Sequence, residues 1–123
     1  MEKQLKALTE KLLDYNKQFA YISQQAQQRQ KEPDFFAEVK PFADQVKRVV
    51  DEWKQMALLW VKKARPKHIY EMQIETAADN IEKVSVEAFY PSVPTRRIKQ
   101  FCRSIEYTLL LVQERLEESG KRW

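Results

Sequence analysis

Two glutamates, one histidine and one cysteine are the residues whose types and spacing come nearest to catalytic chemistry. Glu114 and Glu117 form a Glu-x-x-Glu pair, a spacing that puts both carboxylates on one helix face. Helical nucleotide pyrophosphohydrolases use clusters of such pairs, and a single pair near the C-terminus does not reproduce that arrangement. The chain also lacks a phosphate-binding glycine loop, because its one glycine is Gly120.

Metal and cofactor centres need ligands that this sequence does not supply. A carboxylate-bridged di-iron centre in a helical bundle needs inward glutamates and Glu-x-x-His pairs, and no Glu-x-x-His occurs. A haem or zinc centre needs more histidine or cysteine ligands than His68 and Cys102. The sequence therefore predicts no metal, no cofactor and no enzyme activity.

His68 and Cys102 each have a chemical and a structural interpretation. Phosphorelay domains present their histidine on the exposed middle of a helix, whereas His68 directly follows Arg65-Pro66-Lys67 at a predicted connection. We interpret it as a residue that caps or packs the start of a helix. Cys102 falls on a predicted inward face, which favours an inert buried thiol. Because Arg103 adjoins it, a reactive thiol remains the alternative.

Four basic residues near the start of the last segment are the candidate surface for anions or nucleic acid. Arg96, Lys99 and Arg103 share one helix face, and Arg97 lies beside them. They could bind phosphate or RNA, or they could pair with acidic residues such as Asp34. No aromatic residues alternate with them to stack on bases, so the structural interpretation is favoured.

Several apolar residues lie off the predicted inward faces and form the candidate partner surface. Exposed single apolar residues are ordinary, whereas a contiguous patch marks a docking surface. A patch and partial burial by imperfect bundle geometry remain open alternatives. Val86 also lies off the inward faces. The candidate partner surface is Leu58, Tyr107, Leu110 and Leu111, together with Asp34, Phe35 and Phe36 at the start of the second segment.

The elements that must position these residues are visible as four periodic segments. In each of them apolar residues recur every three or four positions, the spacing of one helix face. The sequence predicts an all-α, antiparallel up-and-down four-helix bundle with a left-handed twist, forming one domain over 1–123. The four sets are Leu5, Leu8, Leu12, Tyr15, Phe19, Ile22 and Ala26; Phe35, Val39, Phe42, Val46, Val49, Trp53, Met56 and Trp60; Ile74, Ala77, Ile81, Val84 and Ala88; and Ile98, Cys102, Ile105, Leu109, Val112 and Leu116.

Prolines mark the predicted boundaries. Pro33, Pro66 and Pro91 separate the segments. Pro41 interrupts the second one, since proline in a helix interior removes a hydrogen bond and crowds the preceding turn. We expect either a kink there or a short helical turn followed by a main helix that starts at Pro41. The predicted helices are about 2–30, 34–64, 69–90 and 95–118.

Composition favours a soluble cytoplasmic protein. The chain of 123 residues is 43% hydrophobic and 33% charged, a mix typical of globular domains. One cysteine cannot form an intramolecular disulfide, and no secretory signal is visible at the N-terminus. No apolar run approaches the roughly 20 residues that span a bilayer, so no membrane association is predicted. A net charge of +4 is mild for a nucleic-acid binder.

Short elements spread along the chain resemble the YppE-like family of small Gram-positive bacterial proteins. Their order and spacing carry the resemblance from about Asp34 to Leu116. The resemblance implies an up-and-down four-helix bundle, and it implies no catalytic residue. The matching elements are Asp34-Phe35-Phe36, Lys40-Pro41, Trp53, Ala57-Leu58, Arg65-Pro66-Lys67, Gln73-Ile74, Asn80, Arg97 and Tyr107-Thr108-Leu109.

Two functional hypotheses follow. The favoured one is a non-enzymatic helical module that binds a protein partner, or a second copy of itself, through the candidate partner surface. The alternative is a nucleic-acid-associated protein that uses the basic face of the fourth helix. An enzyme ranks third, because no constellation of acid, base and nucleophile is visible.

Overall fold

The computed structural model describes residues 2–121, and it describes side chains for residues 2–118. Met1, Arg122 and Trp123, which belong to the predicted domain 1–123, lie outside the described residues. The described part holds four α-helices and one turn of π-helix, and it contains no strand. The helices are α1 (Glu2–Arg29), α2 (Lys40–Ala64), α3 (Glu71–Glu87) and α4 (Thr95–Lys121), and the π turn is Phe35–Val39.

The helices form the predicted four-helix bundle. Both α2 and α4 pack against α1, and both also pack against α3, so α2 and α4 occupy diagonal corners. The α1–α2 and α3–α4 connections meet at one end, where Gln27 Nε2 donates to the carbonyls of Pro91 and Val93, both at 2.9 Å. At the opposite end, Arg115 Nε donates to the Lys67 carbonyl at 2.8 Å.

One continuous core lies between the helices. Each helix contributes fully buried side chains, including Phe19, Trp53, Ile74 and Ile105. Trp60 is also buried, as its position in the periodic pattern predicts. Large side chains of this kind supply most of the apolar area removed from water and therefore most of the driving force for folding.

The inward face of α1 is turned from the predicted one toward three small polar residues, whereas four of its predicted residues are buried as expected: Leu5, Leu12, Phe19 and Ala26. Three predicted inward residues are only half-buried, whereas the residue that follows each of them is buried. An apolar pattern misses this rotation, because small polar side chains can be buried when they are hydrogen-bonded. The half-buried residues are Leu8, Tyr15 and Ile22, and the buried ones are Thr9, Asn16 and Ser23.

Buried hydrogen bonds connect this polar column to the neighbouring helices. Trp53 Nε1 of α2 donates to Thr9 Oγ1 at 3.0 Å, and that hydroxyl donates to the Leu5 carbonyl at 2.7 Å. Asn16 Nδ2 donates to the Cys102 carbonyl of α4 at 2.9 Å, and the Cys102 thiol lies 3.8 Å from the Asn16 carbonyl. Two residues of α1 therefore hold it in register with both neighbours.

A single π turn accommodates Pro41. The Lys40 N–H donates to the Phe35 carbonyl, five residues earlier, and α2 begins at Lys40 with its proline in the first turn. At that position the missing N–H of proline costs no intrahelical hydrogen bond. The structure thus has a short helical turn before the main helix, and the turn is of the π type.

The third helix is shorter than the predicted 69–90. It starts at Glu71, because the Tyr70 N–H donates to Gln73 Oε1 at 2.7 Å and completes a capping arrangement. At the other end the Tyr90 N–H donates to the carbonyl three residues earlier at 3.1 Å, which is a turn. A side-chain cap therefore sets the start of α3, and a backbone turn follows its end.

We predict that Thr9→Val lowers the free energy of unfolding by about 1–3 kcal/mol. The variant leaves the buried indole N–H of Trp53 without its acceptor while changing the side-chain volume little. Urea unfolding followed by circular dichroism measures the change. Combining it with Trp53→Phe should cost about 1 kcal/mol less than the sum of the two single changes, and strict additivity would contradict the assignment.

Candidate interaction site

The end of the bundle that holds the α1–α2 connection has a cleft of about 530 Å³. It lies between the last turns of α1, the connection and the end of α3. Ile22, Ala26 and Phe89 make its apolar part, and exposed Tyr21 stands at its edge. Charged residues of both signs surround it, including Arg29 and the acidic residues of the π turn. Its shape suits an apolar side chain with polar neighbours.

The cleft rim is held by reciprocal hydrogen bonds of the π turn. Asp34 Oδ1 accepts the Ala37 N–H at 3.1 Å, and the Asp34 N–H donates to Glu38 Oε2 at 2.9 Å. Glu38 also pairs with Arg29 of α1 at 3.6 Å. This arrangement is a capping box with one extra residue. Asp34 therefore serves mainly to hold the turn that carries its two neighbours.

Phe35 and Phe36 form an exposed aromatic pair on this turn. Their ring centroids are 5.3 Å apart with an edge-to-face orientation. Phe35 is 43% and Phe36 77% exposed, so both rings keep large apolar areas in contact with water. Short π-helical turns in otherwise α-helical chains are frequent at functional sites.

An aromatic cluster packs against Phe89, one of the residues that line the cleft. The Phe42 ring makes edge-to-face contacts with Tyr15, Phe19 and Phe89, at centroid distances of 5.7, 6.0 and 5.6 Å. These contacts join α1, α2 and the end of α3. Because close-packed aromatic groups have few alternative rotamers, the surface above them is preorganised.

The other predicted partner residues divide between surface and core. Leu58 and Leu111 are half-buried and pack against the core, which is the partial-burial alternative left open by the sequence. Each helix touches two neighbours and therefore buries a wider arc than a single seam. Tyr107 and Leu110 of α4 are exposed, at 66% and 45%. Val86 is half-buried.

Arg97 is occupied within the fold. Its Nε donates to Glu87 Oε1 at 2.8 Å, and its guanidinium carbon lies 4.9 Å from the Phe101 ring centroid. The hydrogen bond to Glu87 holds the pKa of this guanidinium above its ordinary value. The acidic partner is therefore Glu87 rather than Asp34, whose carboxylate caps the π turn.

The rest of the basic face is exposed. Arg96, Lys99 and Arg103 all lie at the surface. Lys99 and Arg103 border a hollow of about 230 Å³ between α1 and α4, together with Lys17 and Glu106. Three cations along one groove attract anions, although the carboxylate reduces the potential.

Cys102 and His68 lie in different environments, one buried and the other exposed. Cys102 is buried, and burial, with a smaller effect of the Glu106 charge, raises the pKa of its thiol to about 11. The thiol is therefore protonated at neutral pH, which supports the inert interpretation. His68 is exposed in the α2–α3 connection with φ of 66°. The expectation that it starts or caps a helix is wrong, because Tyr70 and Gln73 cap α3.

Among the described residues, no group of three His, Cys, Asp or Glu side chains is arranged to hold a metal ion. Within the same residues, every helix is too short or too polar to cross a membrane.

Comparison with known sequences establishes the family. Residues 9–116 match the bacterial domain of unknown function DUF1798. The chain belongs to this family. One similar protein is the uncharacterized protein YppE of Bacillus subtilis strain 168, which is 25% identical to this chain over 122 residues. That alignment covers 94% of this chain and 99% of the relative, and it agrees with the resemblance expected from the sequence.

Solved structures similar to this DUF1798 chain have the same fold. A Listeria innocua protein of unknown function has a TM-score of 0.91 at 29% identity, covering 98% of this chain and 96% of that one. The crystal structure of Bacillus subtilis YppE has a TM-score of 0.91 at 24% identity, covering 98% of each chain. A Staphylococcus aureus DUF1798 protein has a TM-score of 0.83 at 18% identity, covering 91% and 95%. The last two likenesses establish the fold alone.

Sequence reasoning missed several residues of the cleft. Tyr21 and Arg29 were not among the candidates. Outside the cleft, Leu59, which is 45% exposed on α2, was also missed. Tyr21 carried a usable signal, because it is a large aromatic residue beside the apolar face of α1. Glu38 carried a second one, four residues after the capping Asp34.

We predict that Cys102 in the native protein reacts slowly with iodoacetamide at neutral pH, and that urea removes this protection. Because the thiol pKa is raised from 9.0 to about 11, the unfolded chain ionises first. The stabilisation is complete below 9.0 and is lost as the pH rises through about 11. The urea midpoint should therefore fall more steeply over that interval than in Cys102→Ala. Rapid alkylation of the native protein would overturn this assignment.

Proposed function

We propose that this protein is a non-enzymatic helical module that binds a protein partner in the cytoplasm. The observation that carries the proposal is the exposed Phe35–Phe36 pair, held on a capped π turn beside the cleft of about 530 Å³. The cytoplasmic location is supported by the single cysteine, which is a buried thiol.

The aromatic pair has the properties of a binding anchor. Rigid aromatic side chains dominate the energetics of protein interfaces, and they contribute most next to a pocket that the partner can fill. The capping bonds of Asp34 and Glu38 fix the turn before any partner arrives. Little conformational entropy is then lost on binding at this surface.

The cleft favours a partner segment with an apolar side chain flanked by polar groups. Ile22, Ala26 and Phe89 would contact that side chain. Arg29 and Glu38 already neutralise each other at 3.6 Å, so the rim does not demand a strongly charged partner. A second copy of this chain is the other candidate protein partner.

Nucleic acid is the alternative partner, and it would use another face. Arg96, Lys99 and Arg103 are exposed, and the latter two border the groove between α1 and α4. Arg97 already bonds Glu87, which reduces the basic set expected from the sequence. Binding through this face would weaken steeply as salt concentration rises.

We predict that a photo-reactive phenylalanine at position 36 cross-links a defined protein in lysate of the native host. The same residue at position 72 is the matched control, since Met72 is a similarly exposed large apolar residue on α3, outside the candidate partner surface. The product should form at position 36 only, survive nuclease treatment and diminish several-fold when Phe35→Ser is added. A product containing two copies would identify the partner as this chain itself.

Three outcomes would contradict the proposal. They are no product at position 36, equal products at both positions, and products that nuclease removes. Products that depend on nucleic acid would instead favour the alternative function, in which the basic face of α4 binds nucleic acid.

A further inference from the structure

A second cleft lies at the opposite end of the bundle, far along the helices from the aromatic pair. Its volume is about 430 Å³, and it is bounded by the end of α2, the α2–α3 connection and α4. Arg65, Lys67 and Arg115 line it, together with the carboxylate of Glu118. Trp60 forms part of its wall. Arg115 also pairs with Glu114 at 3.5 Å. Among the described residues, the three cations therefore exceed the two nearby carboxylates by one charge, which makes the local potential positive.

The carboxylate of Glu118 is already engaged. Arg115 holds Glu118 Oε1 at 3.1 Å, and its Nε donates to the Lys67 carbonyl at 2.8 Å. The Arg115 side chain is only 14% exposed, so it is fixed rather than free to follow solvent ions. Arg65 and Lys67 form no ion pair with the side chains of residues 2–118.

The wall also holds a buried donor. The Trp60 indole Nε1 is shielded from solvent and has no acceptor among the described protein atoms. More than nine-tenths of buried polar groups in folded proteins are paired. Because this N–H belongs to a side chain that lines the cleft, its NMR signal reports on changes in the cleft wall.

The connection has an unusual backbone. Arg65 and His68 adopt positive φ values of 45° and 66°. Glycine or asparagine usually takes the left-handed position after a helix C-terminus, and strained backbone of this kind is concentrated at functional sites. Here charged and ionisable side chains occupy both positions.

We propose that this second cleft binds a small ligand through an oxyanion group, phosphate or carboxylate, held by Arg65, Lys67 and Arg115. The negative end of the α2 dipole opposes an anion, so the three cations must act together. The inference does not depend on the partner surface at the other end of the molecule.

The test is a titration of the protein with pyrophosphate or citrate, following the indole N–H signals by NMR. Trp60→Phe identifies the signal of Trp60. We expect that signal to shift saturably at millimolar concentration, while sodium chloride at matched ionic strength leaves it unmoved. Saturation by pyrophosphate alone assigns a phosphate group, and saturation by citrate alone assigns a carboxylate.

Lys67→Gln should weaken the binding about tenfold, because a charge-assisted contact is lost. It is preferred to a change at Arg115, whose bond to the Lys67 carbonyl is part of the fold. Lys63→Gln, at an exposed position outside the cleft lining, is the matched control and should bind like the parent protein. A shift that does not saturate, that chloride reproduces, or that both variants weaken equally would overturn the proposal.

Discussion

The packing of α1 depends on a column of small polar residues buried inside an otherwise apolar core. Thr9, Asn16 and Ser23 recur every seven residues, and the first two hydrogen-bond α2 and α4 respectively. Apolar contacts alone tolerate sliding of one helix along another, since most shifted arrangements bury similar areas. A buried donor that loses its acceptor does not tolerate it, because the full cost of desolvation is then uncompensated. The column thus selects one register of α1.

That register determines what lies at the two ends. With α1 in place, Gln27 reaches the carbonyls of the α3–α4 connection, and Arg29 reaches Glu38 of the π turn. Both contacts shape the cleft beside the aromatic pair. At the other end, Arg115 reaches the Lys67 carbonyl and shapes the second cleft. The middle of the bundle supplies rigidity, and both proposed binding surfaces lie where the connections leave polar and aromatic groups accessible.

The fold was predictable because it rests on a repeated signal. Four periodic segments separated by prolines suffice for a four-helix bundle, and Trp53 and Trp60 lie in the core as their spacing predicts. The rotation of α1 was not predictable from apolar spacing, since that signal ignores buried polar residues such as Thr9. The partner of Arg97 was also missed, because it depends on how two helix ends meet in space. Similarly, both clefts arise from the arrangement of connections, which no local pattern encodes.

The most direct test of the register claim is the double variant Thr9→Val with Asn16→Leu. These changes replace both hydrogen-bonding residues by apolar ones of similar size, and they remove the Asn16 Oδ1, which has no partner among the described atoms. We expect far-ultraviolet circular dichroism to stay helical while the methyl region of the NMR spectrum loses its dispersion, because several registers of α1 become comparable in energy. A single, well-dispersed spectrum in the double variant would show instead that apolar packing alone selects the register of α1.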